Sequence, residues 1–70
     1  MMKVKLEQSE KQLLYDIGIS IENREYDENE ILQIADEVYL EESYNVDKNG
    51  KLANLYAKLG DKLQGMVPEV

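Results

Sequence analysis

Neither cysteine nor histidine occurs in this 70-residue chain, and their joint absence narrows the folds open to it more than any motif does. A chain this short buries only about 60% of the surface its unfolded form exposes, and a core of this size supplies only about 3–5 kcal/mol. Small domains usually add disulfides, metal sites or association to that margin. Without thiols or imidazoles no disulfide can form and no ordinary zinc site can assemble. Tidy helix packing or self-association, in the simplest case a homodimer, is the expected support. The length allows one domain over residues 1–70, with 1–5 and 66–70 expected as loose termini.

Apolar spacing predicts an all-α, three-helix bundle with helices over about 7–17, 28–43 and 51–64. In the first, Leu6, Leu13, Leu14 and Ile17 share a side. Gly18 can take the left-handed conformation that closes a helix, with Ile19 supplying the accompanying apolar contact. Two starts remain open, one near Glu7 and one in which Ser9 and Gln12 form a capping box. Residues 2–6 and 19–22 alternate apolar with polar and are candidate short extended segments.

The sharpest boundary is Tyr26-Asp27-Glu28-Asn29-Glu30-Ile31. Asp27 can cap the free amides, Glu30 can reach back to the cap, and Tyr26 can staple onto Ile31. The inward arc of this second helix is expected to hold Ile31, Leu32, Ile34, Ala35, Val38 and Tyr39. Residues 44–50 then read as a loop, with Val46 expected to plug the core. Leu52, Leu55, Tyr56, Leu59 and Leu63 form the apolar face of the third helix, which Gly65 and Pro68 end. Gly60 falls inside that face. It costs about 1 kcal/mol relative to alanine but lets another helix come close. Helices two and three are expected to form an antiparallel hairpin, with helix one across it.

The net charge of −7 is uneven. Residues 22–47 carry ten acidic side chains against Arg24 alone, whereas the remainder holds five acids and seven lysines. An acidic middle with mildly basic ends repels a phosphate backbone, so no direct nucleic-acid binding is expected. A helix-turn-helix reader built from helices two and three is disfavoured for the same reason, since helix three offers only Lys51, Lys58 and Lys62. The N-terminal Met1-Met2-Lys3-Val4-Lys5 lacks the apolar run of an export signal, and no stretch is apolar for the roughly 20 residues that span a bilayer. A cytoplasmic protein without membrane contact is expected. The Ile, Asn, Lys, Tyr and Glu content is of the kind that AT-rich coding produces, as in low-GC bacteria and mobile elements.

Chemistry has little to work with. Lacking the usual general base and the most reactive nucleophile, the chain is expected not to be an enzyme, and three short helices are expected to leave no pocket of the roughly 300 Å³ typical of ligand sites. Asp47-Lys48-Asn49-Gly50 imitates the start of a calcium loop, but glycine comes fourth instead of sixth and Lys58 stands where the twelfth-position glutamate belongs. Asp36, Glu37, Glu41 and Glu42 lack the Glu-x-x-His partner of di-metal bundles and are accounted for as a solvated face. No cofactor or metal is expected.

Two apolar residues depart from the pattern. Leu40 falls on the polar side of helix two, and Tyr15 lies opposite Leu13 and Ile17. With Asp36, Glu37 and Glu41 they are the candidate partner-binding residues, although single exposed apolar residues are ordinary. The expected function is accordingly that of a small acidic interaction or regulatory module with a protein partner. The alternative is an acidic imitation of nucleic acid that inhibits a DNA- or RNA-binding protein.

Overall fold

A computed structural model describes residues 2–68. Three helices, α1 (Gln8–Asp16), α2 (Glu28–Asn45) and α3 (Gly50–Gly65), enclose an apolar core of aliphatic side chains with Tyr26 and Tyr56. Beside them β1 (Met2–Lys3) pairs antiparallel with β2 (Glu25–Tyr26), placing Met2 opposite Tyr26 and Lys3 opposite Glu25. The second extended segment thus lies at 25–26 instead of 19–22. Of the termini expected to be loose, Met1 and residues 69–70 lie outside the described residues. Val4, by contrast, is buried, and Met66 and Val67 rest against the core.

Local chemistry accounts for the helix ends. At α1 the Glu7 amide donates to Glu10 Oε1 at 2.7 Å, which selects the earlier of the two starts. At its other end Gly18 has φ +86°, Ile19 N–H donates to the Leu14 carbonyl and Gly18 N–H to that of Tyr15. That pair of bonds is the Schellman closure for which a left-handed glycine is suited. Asp27 caps α2, accepting from the Glu30 amide at 2.8 Å while Glu30 Oε1 accepts from the Asp27 amide at 3.2 Å. Asn49 Oδ1 accepts from the Leu52 amide at 3.2 Å and so opens α3.

The hairpin of α2 and α3 holds most of the core. Ile31, Val38, Leu59 and Leu63 are fully buried in it, and Leu14 of α1 joins them. Each such side chain contributes about 1.5–3 kcal/mol by leaving water. Gly60 lies directly beneath the Tyr39 ring, so that a Cβ added there would come within 2.7 Å of Tyr39 Cε1. The same tyrosine reaches across to α3, its hydroxyl donating to Asp61 Oδ1 at 2.7 Å. α1 is held to α3 by Leu14 and by Lys62 Nζ, which lies 2.7 Å from Glu10 Oε1.

Three expected burials do not occur. α2 continues two residues beyond its expected end, because the Asn45 side chain donates to the Glu41 carbonyl at 2.8 Å and supports the last turn. Val46, carried on by that extra length, is 58% exposed and does not plug the core. Leu32 and Leu55 sit at the margins of their arcs and remain exposed, since the nine-residue α1 is too short to cover both edges of the hairpin.

Gly60→Ala is expected to destabilise the fold by about 1–3 kcal/mol through overpacking against Tyr39, although alanine is the better helix former by about 1 kcal/mol. In a Tyr39→Ala background the same change is expected to be neutral or stabilising, and urea denaturation of the four proteins measures the coupling. Tyr39 yields a pH dependence too. Its hydrogen bond to Asp61, then burial and the charges of Asp61 and Glu42, push its phenol up to about 12 from 10.0. The folded chain favours the neutral phenol, so this contribution is complete below pH 10 and is lost as pH rises through about 12. Tyr39→Phe is therefore expected to cost about 1 kcal/mol at neutral pH and to lose that difference in the alkaline window, as read by denaturation at each pH.

Candidate functional site

Capping and periodicity fix which side chains α2 turns outward. With its N-terminus set at Asp27 and Ile31, Ala35 and Val38 buried, the opposite arc must face water. Along that arc Asp36, Leu40 and Tyr44 follow one another at four-residue intervals, which on a helix makes a continuous row. Leu40 is 54% and Tyr44 59% exposed. Glu37 and Glu41 form the neighbouring row, Glu37 exposed and Glu41 half-buried. The result is an apolar pair, one turn apart, edged by carboxylates.

Four of the five sequence-selected residues thus share one surface, and the fifth does not. Tyr15 is 67% exposed, but it lines a shallow cleft of about 290 Å³ with Gln8, Lys11, Gln12, Ser20 and Ile21, to which α2 contributes nothing. Tyr44 completes the row on α2 and was missed because residues 44–50 read as a loop. Its signal lay in the spacing from Leu40, once the helix is allowed to run to Asn45.

Charge is organised elsewhere too. Arg24 is spread over its neighbours: Nε lies 3.1 Å from Glu22 Oε2, Nη2 lies 2.9 Å from Glu30 Oε2, Nη1 donates to the Glu25 carbonyl, and the guanidinium stacks 3.8 Å from the Tyr26 ring centroid. The Arg24 hydrogen bond first, then the Asp27 amide, hold the Glu30 carboxyl below its usual value. At Glu10 burial pushes the carboxyl up, but the Lys62 hydrogen bond, the Glu7 amide and the Lys62 charge together outweigh it and the carboxyl titrates low.

A second hollow corrects the expectation that no pocket of ligand size remains. A half-open groove of about 550 Å³ runs between residues 3–7 and 21–24 and reaches Lys11 and Lys62. Five of the chain's eight basic side chains line it. Among the described residues no cluster of three or more carboxylates is placed to hold a metal ion, and no helix is long and apolar enough to cross a membrane. No protein-family model matches the chain, and no curated protein or solved structure matches it either.

The Glu10–Lys62 bridge is expected to respond to acid. A carboxyl held below its usual 4.5 favours the ionised, folded form, so the contribution is present above that value and disappears as pH falls through the lowered one. Glu10→Gln is expected to cost up to about 1 kcal/mol at neutral pH and nothing once Glu10 is protonated, as thermal melts across the acid range would measure.

Proposed function

We propose that the chain is a small, cytoplasmic, non-enzymatic interaction or regulatory module, of the bacterial or mobile-element kind its composition suggests, that binds another protein through the outward face of α2. The observation that carries this reading is the exposed Leu40–Tyr44 pair set among Asp36, Glu37 and Glu41. An apolar anchor with a charged rim is the anatomy of a protein interface, in which the anchor provides affinity and the rim provides steering. The partner it fits has an apolar pocket bordered by lysine or arginine. An imitation of nucleic acid would present carboxylates without a leucine and a tyrosine between them, so the same pair favours a protein-binding face over the decoy reading.

An amphipathic peptide of lysine and leucine serves as the probe. Amide shifts in the NMR spectrum are expected to cluster at residues 36–44, with affinity falling at least about tenfold in both Leu40→Ser and the Glu37→Lys, Glu41→Lys double variant, equivalent to roughly 1.4 kcal/mol. Shifts spread evenly over all acidic positions and erased by moderate salt would reduce the face to a solubilising one. Sedimentation equilibrium gives the complementary reading: a dimer that dissociates in Leu40→Ser would assign the pair to a second copy of the chain.

A further inference from the structure

The groove between residues 3–7 and 21–24 is a second surface to which α2 contributes nothing, and it is opposite to the α2 face in charge. Its first wall is extended, with Val4 buried and Leu6 half-buried while Lys3, Lys5 and Glu7 are exposed, as alternation along a strand requires. Of its five cations two are engaged, Arg24 with Glu22 and Glu30 and Lys62 with Glu10. The side chains of Lys3, Lys5 and Lys11 have no hydrogen-bond or ion-pair partner among the described residues.

The main chain is unpaired as well. β1 stops at Lys3, and beyond it neither the amides nor the carbonyls of Val4, Lys5 and Leu6 meet a protein partner among the described residues. Ile21 and Asn23 on the facing wall are in the same condition. A short edge whose backbone groups are unpaired is the template onto which an extended peptide adds as a further strand.

We propose that this groove docks an extended acidic segment of a partner protein, its main chain pairing with residues 4–6 and its carboxylates taken by Lys3, Lys5 and Lys11. Charge and spacing select the occupant. Alternate residues of a strand stand about 7 Å apart, so acids at every second position of the segment fall into step with Lys3 and Lys5. Nucleic acid fits less well: no aromatic side chain lines the groove to stack a base, Glu7 and Glu22 stand in its walls, and the chain carries −7 overall.

The test uses the full chain and a blocked peptide of about seven residues alternating glutamate with valine, at roughly physiological salt, where exposed charges more than about 8 Å apart are screened. Saturable amide shifts are expected at 3–7 and 21–24 and not at 36–44. Affinity should fall at least about tenfold in Lys3→Glu, Lys5→Glu and in a peptide N-methylated on the edge that pairs. Lys3→Gln, Lys5→Gln, which removes charge from two exposed sites without reversing it, should keep the fold by circular dichroism and bind with intermediate affinity. An N-methylated peptide that binds as well as the parent overturns main-chain pairing. A single-stranded oligonucleotide that outcompetes the peptide replaces the occupant by nucleic acid. Shifts at 3–7 that follow protein concentration without peptide replace it by the acidic face of a second copy. Because the α2 face is read at different residues by a basic probe, either surface can fail without the other.

Discussion

The close approach of α2 and α3 at Gly60 is the constraint from which the rest of the molecule follows. Removing the Cβ at one position lets the Tyr39 ring lie on the α3 backbone, and the ring then delivers its hydroxyl to Asp61 one residue further on. Apolar contact and a charge-assisted hydrogen bond are thereby set by the same side chain. In a chain without cysteine or histidine that joint stands in for a covalent staple. It also fixes the rotation of α2 about its own axis, and hence which residues that helix shows to solvent.

With the hairpin locked, α1 is the variable part. Nine residues give about 14 Å of helix, set against an α2 twice as long. Leu14, with Leu13 and Ile17 beside it, and the Glu10–Lys62 bridge fasten it to the core, and the rest of the hairpin edge is left uncovered. Leu55 and Leu32 are exposed for this reason of geometry, not because their spacing is wrong. The short sheet and the 18–26 segment close the remaining side, where the Tyr26 hydroxyl accepts the Glu22 amide at 2.8 Å and so braces the turn.

What could be read from the sequence was whatever is decided within a few residues. The Asp27 capping box and the left-handed Gly18 rest on hydrogen bonds between residues no more than five apart, and both stand where the spacing places them, whereas of the inward arc expected for α2, Ile31, Ala35 and Val38 are buried and Leu32 is exposed. Leu40 was legible as an apolar residue out of phase. What could not be read depends on distance along the chain. The spacing places Val46 in the core and Tyr44 in a loop, because it carries no sign that the Asn45 side chain supports another half-turn of α2. The groove is made of residues from 3–11, 21–24 and 62, and its traces in the sequence are the alternation at 2–6 and 19–22 and the excess of lysine over acid outside residues 22–47. An imbalance of composition says that a basic surface exists, but only the fold says that it is a groove.

The charge pattern of α2 itself breaks a local rule. Glu28 and Glu30 in its first turn oppose the positive end of the helix dipole and stabilise it, but no basic residue occupies the last turn, and Glu41 and Glu42 sit near the negative end. Carboxylates there cost the helix a few tenths of a kcal/mol each, and the same turns expose Leu40 and Tyr44 to water. A chain with so thin a margin gains nothing in folding from either feature. Departures from local consistency without a structural return concentrate where a surface serves something other than stability. Both costs fall on the same turns of the same helix, which favours a partner for that face over solubility alone, because solubility would be served equally well by acids placed at the helix start.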